Sequence, residues 1–192
     1  GVYHKVTALV FPETVLAVDE TDDMVIAPIS YAATADFAAV MAKASVLYAE
    51  YDADFAKSCL DAATNAYAFL EANPDMKGYE NPEDLVTGAY DDTHLADETL
   101  WASAEMYIAT KDAKYLTATK TALDSNYLTG FGWADIGSYA LYDLAKTEGV
   151  DADVAKTAKE KLLADADETL SKAESEGFFT GMGVTYPWGS NM

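Results

Sequence analysis

Three aspartates, each opening a run of helical periodicity, constrain this chain more than any other feature. "DADFAKSCLDAA" begins at 52, "DAKYLTATKTAL" at 112 and "DADVAKTAKEKL" at 151. Each aspartate can accept the backbone N–H groups that the start of a helix leaves unbonded. Each also follows an earlier periodic segment after a very short turn, so each opens the second arm of a helical hairpin. The spacing predicts six helices, over 32–50, 53–72, 94–109, 113–123, 133–147 and 152–175. In the first, Phe37, Val40, Met41, Ala44, Leu47 and Tyr48 recur at helical intervals, and in the third Leu100, Trp101, Ala104, Tyr107 and Ile108 share one side. Asn73-Pro74, Gly149 and Gly177 are the stops. The last helix has a thin stripe: Ala155, Ala158, Leu162, Ala166 and Leu170. Rich and thin faces in alternation predict inner helices packed on both sides and outer helices wet on one. The fold class is therefore all-α, a layered hairpin array that is either an open solenoid or a closed toroid.

Two stretches break the pattern. Residues 1–30 hold short β-like runs, Val6–Phe11 and Met24–Ile29, around acidic turns. Residues 74–93, "PDMKGYENPEDLVTGAYDDT", form a loop of a length that usually serves function. Together with the tail 177–192 they can gather at one end of the helices as a binding face.

A chain of 192 residues reads as one domain, 1–192, large enough to bury a core. Its 33 acidic residues face 12 lysines and no arginine, a net charge of −21. Such a field repels phosphates and anionic lipid, so neither nucleic acid nor a membrane is an expected partner. It suits a neutral ligand, a cation or plain solubility. The first residues lack a signal-peptide layout, and no apolar run approaches the ~20 residues of a membrane span. Cys59, the single cysteine, shares a stripe with Phe55, Ala62, Ala66 and Leu70 and reads as a buried structural thiol.

"YDDTHLADE" at 90–98 is the most polar cluster beside an apolar helix. Asp97 lies three residues before Leu100 and four before Trp101 and so projects from the core-facing stripe. An inward carboxylate needs a partner, and a hard cation is one. Capping of a helix start by acids is the plainer reading. Spacing alone singles out no pair of catalytic carboxylates among so many. His4 and His94 stand at no metal-motif spacing, and neither a phosphate loop nor a nucleophile elbow occurs. Tyr3, Tyr79, Tyr90, Trp133, Phe178, Phe179, Tyr186 and Trp188 lie in or beside loops. Flat rings of this kind either plug loops onto helices or stack on sugar faces, and the set favours a groove for a neutral polyhydroxy ligand.

The stretches "GVYHKVT", "FPE", "ATADFAAVMAKAS", "FAKSCLDAATNAYAFLEANP", "TGAYDDTHLADETLWASAEMYIATKDAKYL", "WADIGSY" and "YPWGSN" resemble, in order and over nearly the whole chain, the catalytic domain of glycoside hydrolase family 9, the endoglucanase and cellobiohydrolase family. The resemblance implies a toroid of six α-hairpins that cleaves β-1,4-glucan (cellulose or cello-oligosaccharides) with inversion. It implies that the base, in an Asp-x-x-Asp motif before "YHKVT", and the acid, a glutamate after "WGSN", are not among these residues. The chain is then about half a toroid, without a catalytic residue of its own, part of a secreted enzyme, and prone to self-association through open edges. His4, Trp133, Tyr186 and Trp188 are similar to substrate-binding residues of the cleft. Asp97 and Glu98 match a structural Ca2+ site, to which Thr93 and Asp92 could add oxygens; Asp135 is a more distant candidate. "SYAATA" departs from the family's usual pattern, and no arginine follows the acidic loop after "PE". A non-catalytic carbohydrate-binding module or a helical-repeat scaffold is the alternative.

Overall fold

The computed structural model describes residues 1–177, 179 and 181. Strands β1 (Val2–Tyr3), β2 (Val6–Ala8), β3 (Met24–Ile26) and β4 (Ile29–Ser30) precede helices α1 (Tyr31–Tyr48), α2 (Ala53–Ala72), α3 (Ala96–Thr110), α4 (Ala113–Leu123), α5 (Gly137–Lys146) and α6 (Ala152–Ser175). The three expected caps are present. Asp52 accepts the Phe55 N–H at 2.9 Å, Asp112 that of Lys114 at 2.9 Å and Asp151 that of Val154 at 3.1 Å. Ser30 caps α1 through the Ala33 N–H at 3.1 Å. Lys111, with φ 57°, makes the abrupt turn from α3 into α4.

The chain forms two compact units, Gly1–Ala140 and Leu141–Met192, with the division inside α5. In the first unit α1 packs on both α2 and α3, and α3 packs on α4. Its inner helices have the expected character: α3 buries residues on every side, Leu100, Ser103, Met106 and Tyr107 among them. The face that α1 buries is different from the one its large residues suggested. Ala32, Ala35, Ala38, Ala39 and Ala42 are buried, while Phe37, Val40, Leu47 and Tyr48 point outward. A helix gripped by two neighbours needs short side chains where they touch so that the backbones can approach, and α1 meets this with alanine. In the second unit Leu141, Leu144, Val154 and Ala158 are buried, whereas Leu163 and Leu170 are exposed.

The other departures are local. The two expected runs shorten to β2 and β3, paired antiparallel in the register Val6↔Ile26, Thr7↔Val25, Ala8↔Met24, and a second antiparallel pair that was not expected joins β1 to β4. The fifth helix starts at Gly137 rather than 133. Residues 130–136 instead form a turn in which the Gly132 N–H donates to the Asp135 carbonyl at 3.0 Å and the Gly130 N–H to Ser138 Oγ at 2.9 Å. A Cβ on Gly137 would stand 2.3 Å from the Leu128 carbonyl oxygen, so only glycine fits where the helix begins. The long loop is pinned in the same way. A Cβ on Gly78 would lie 2.2 Å from the Asp92 carbonyl oxygen, where Tyr79 and Asp92 form an isolated β-bridge.

The alanine face of α1 leads to a direct expectation. Ala39→Leu inserts three carbons into a space with no exposure and should lower unfolding stability by about 1–3 kcal/mol. Val40→Ala, on the outward face, should change it by no more than ~0.5 kcal/mol. Urea unfolding of both variants would show the contrast; equal effects would mean that α1 is turned otherwise.

Candidate functional site

A cleft of about 220 Å³ opens at the start of α1, lined by His4, Lys5, Ala32, Ala33, Asp36, Tyr90, Asp92 and Trp133. The turn between β1 and β2 delivers His4, whose N–H donates to the Pro28 carbonyl at 3.0 Å. The His4 ring stacks face to face on Tyr79, with centroids 3.6 Å apart and planes at 9°. Tyr79 is in turn fixed by Asn81: the phenol donates to Asn81 Oδ1 at 2.9 Å, and Asn81 Nδ2 donates to the Leu85 and Thr87 carbonyls at 2.7 and 2.8 Å. His4 Nδ1 lies 2.9 Å from Ser30 Oγ. Burial, and then the neighbouring Lys5 ammonium, hold the imidazole below its ordinary range, against the pull of the Ala89 and Tyr90 carbonyls and Asp91. At neutral pH His4 is thus an uncharged ring, a hydrogen-bonding group matched to an uncharged ligand.

The aromatic wall of the cleft is Tyr90 and Trp133. They stand edge to face at 5.8 Å, and each leaves more than half of its surface open, 62% and 64%. Behind them Tyr139 stacks on Trp101 at 5.1 Å, meets Phe131 edge-on and donates its hydroxyl to the Phe131 carbonyl at 3.1 Å.

Asp36 and Asp92 bring carboxylates to the cleft, and Asp92 connects it to an acidic cluster at the start of α3. Asp97 and Glu98, in the first turn of α3, are essentially without solvent exposure, and Asp92 is buried beside them. Asp97 Oδ2 accepts the Ile136 N–H at 3.0 Å; Asp92 Oδ1 accepts the His94 N–H at 3.0 Å. Burial and the carboxylates around it raise Asp97 despite the Ile136 bond. Glu98 is raised much further, by burial first and then by Asp92, with which it shares a hydrogen bond that needs a proton between two carboxylates. Asp36, on α1, is pushed up to about 7 by burial and by Asp92 and Asp97. One oxygen on each of Asp36, Asp97 and Glu98 is buried without a hydrogen-bond partner. Such orphaned oxygens are what a cation satisfies. Among the described residues no three acidic, histidine or cysteine side chains gather closely enough to hold one by themselves. The donors present are all oxygens, a set whose chemistry suits a hard cation better than a softer metal.

Of the residues singled out in the sequence, His4, Trp133 and Asp92 meet in the cleft, and Asp97 and Glu98 lie buried at the start of α3. Thr93 is exposed in the loop before α3. Tyr186 and Trp188 lie outside the described residues. Asp36 was missed as a site residue; Tyr79, singled out among the loop rings as a groove former, instead stacks behind His4, whereas Tyr90 of the same set lines the cleft. The signal for Asp36 was a carboxylate among alanines, four after Ala32 and three before Ala39, on the face that α1 buries. A larger cavity, about 500 Å³ and bounded by Tyr31, Met76, Leu95 and Ala118 among others, has Tyr31 as its sole ionisable lining residue among the described ones, and that hydroxyl is already bonded to Thr99.

The model of glycosyl hydrolase family 9 matches residues 14–192. Endoglucanase D of Acetivibrio thermocellus is 32% identical over 195 residues, covering 99% of this chain and 31% of its own. A single-mutant thermostable endoglucanase from Alicyclobacillus acidocaldarius superimposes with a TM-score of 0.87 at 39% identity, over 95% of this chain and 35% of that one. A structure described as AaCel9A in complex with cellobiose-like isofagomine gives the same figures. The chain therefore spans about a third of the length of the relatives it matches.

The Asp36 carboxyl sets a pH dependence with a definite sign. Its value in the fold, about 7, exceeds its ordinary 3.8, so folding favours the protonated form. The stability this group supports is complete below its unfolded value and is lost as pH rises through about 7. Measured with a chelator present, Asp36→Asn should flatten the unfolding-stability curve across that window. A curve identical to that of the parent chain would contradict the assignment.

Proposed function

The chain belongs to glycosyl hydrolase family 9, and from that premise we propose that it carries one wall of the glucan cleft of a secreted enzyme that hydrolyses β-1,4-glucan. The observation that supports this most is the joining of Tyr90, Trp133 and an uncharged His4 around one cleft. Rings take the flat apolar faces of glucose units, and His4 with the adjacent carboxylates takes their hydroxyls. The names of the relatives, endoglucanases among them, and the cellobiose-like inhibitor bound by one solved structure agree with that ligand class.

In this reading hydrolysis inverts the anomeric centre. One carboxylate activates water and a second protonates the leaving oxygen, and both belong to parts of the family's domain not contained in these residues. The function of this stretch is binding and orientation. Calcium would be held by Asp97 and Glu98 with oxygens from Asp92 and Thr93, and it would supply only positive charge and rigidity. Orphaned oxygens on Asp97 and Glu98 support that placement. Self-association follows from apolar side chains left outward, Val6, Met24 and Ile26 on one strand pair and Leu163 and Leu170 on α6.

Each part of this reading has its own measurement. The 192-residue chain alone should give no reducing ends from carboxymethyl-cellulose or cello-oligosaccharides, while the same sequence within a full-length family 9 domain should be active on them. Turnover by the isolated chain, abolished by changing one of its own carboxylates, would overturn the assignment. Trp188→Ala and Trp133→Ala should weaken cello-oligosaccharide binding by roughly tenfold each, the scale of a single ring-on-sugar stack. Calcium should raise the melting temperature, and Asp97→Ala should remove the rise; a calcium-independent melt would exclude the metal. Light scattering that shows a clean monomer at high concentration would remove self-association.

A further inference from the structure

We propose that Lys5 is a positioning residue of the cleft: it holds Tyr90 in the orientation that makes a second aromatic wall beside Trp133. The proposal rests on the reading of this cleft as a glucan site. Tyr90 has φ 52°, a left-handed backbone that a bulky residue adopts only where its surroundings enforce it. The segment before Tyr90 is tied to the N-terminal strands in steps. The Val86 N–H donates to the Leu9 carbonyl at 2.9 Å, and the Thr7 hydroxyl donates to Thr87 Oγ1 at 3.0 Å. Then Lys5 Nζ donates to the Gly88 carbonyl. Finally His4 lies against the Ala89 and Tyr90 carbonyls.

Of these ties, that of Lys5 reaches the ring as well as the backbone. Its Nζ stands 5.8 Å from the centroid of Tyr90, within cation–π range. On the backbone side the ring folds over Gly88, where an added Cβ would meet Tyr90 Cε2 at 3.1 Å. One ammonium therefore grips both the carbonyl two residues before Tyr90 and the face of its ring. A lysine suits this task because a compact charge can give one N–H to a carbonyl and still face a π-system. Lys5 itself is half-buried. The result is a ring held at 87° to Trp133.

The test uses the 192-residue chain and the variants Lys5→Met, Lys5→Arg, Lys5→Gln, Tyr90→Ala, Trp133→Ala and Lys5→Met/Tyr90→Ala. The first readout is the nuclear Overhauser effect between the Tyr90 and Trp133 rings. It should vanish in Lys5→Met with little change in melting temperature and return in Lys5→Arg. Lys5→Gln keeps a donor for Gly88 without a cation for the ring and is the second variant should Lys5→Met unfold; it should abolish the same signal. Persistence of the signal in a folded Lys5→Met or Lys5→Gln overturns the proposal. The second readout is the dissociation constant of cellotetraose. Lys5→Met should raise it roughly tenfold, Lys5→Arg should largely restore it, and Lys5→Met should add nothing once Tyr90 is alanine. Binding weakened by Tyr90→Ala but untouched by Lys5→Met leaves the glucan reading intact and removes the role of Lys5. A ring-to-ring signal that disappears in Lys5→Met, with no effect of Tyr90→Ala or Trp133→Ala on cellotetraose, keeps the role of Lys5 and removes the glucan reading.

Discussion

The bond from the Ile136 N–H to the Asp97 carboxylate is the interaction on which most of this structure depends. Asp97 stands in the first turn of a helix buried on every side, where its charge is favoured by the helix dipole and opposed by loss of water. The backbone it captures belongs to the turn that carries Trp133 and starts α5. One carboxylate thus joins the inner helix, the turn with the exposed ring, and the glycine that packs on the Leu128 carbonyl. Without it the buried charge in the first turn of α3 would lose its partner from outside the helix, and the turn at 130–136 would lose its tie to α3.

The same bond explains what could and could not be read from the sequence. The helices and their caps were legible because aspartate capping and 3.6-residue periodicity are local. The start of α5 was not: residues 133–136 look helical in isolation, but Asp97, 39 positions earlier, takes the Ile136 N–H and draws the chain into a turn. The buried face of α1 was hidden for a related reason. Large residues ordinarily mark the inward side of a helix, but a helix gripped by two neighbours is selected for closeness, so alanine goes inside and Val40 and Leu47 outside. That inversion also concealed Asp36, whose position only becomes informative once the alanines are known to face inward.

The cleft was half legible. His4 and Trp133 stood out because a histidine in "YHKVT" and a tryptophan in a glycine-rich turn match a family pattern. Their supports did not, because a stack such as His4 on Tyr79 joins residues far apart in the chain and leaves no trace in spacing. Motif resemblance points to groups that face a ligand; only packing points to the groups that hold those in place. Tyr79, Asn81 and Ser30 are of the second kind.

Charge gives the site its division of labour. If the ligand is the uncharged sugar proposed above, a net charge of −21 offers it little long-range attraction, and recognition would be made at close range, by ring faces and hydrogen bonds. Such recognition tolerates little disorder in the rings, since a plate that turns freely must lose that freedom each time it binds. The two basic side chains of this region are themselves tied to the protein: Lys5 to the Tyr90 ring and the Gly88 carbonyl, and His4, held neutral, to Ser30 Oγ and the Tyr79 ring. The acids run from Asp36 and Asp92 in the cleft lining to Asp97 and Glu98 at the start of α3, where burial and mutual repulsion favour retained protons. In the reading proposed above, the acidic cluster would lend rigidity and the aromatic rings affinity, and the two meet at the loop 88–92, which contributes Tyr90 to one and Asp92 to the other.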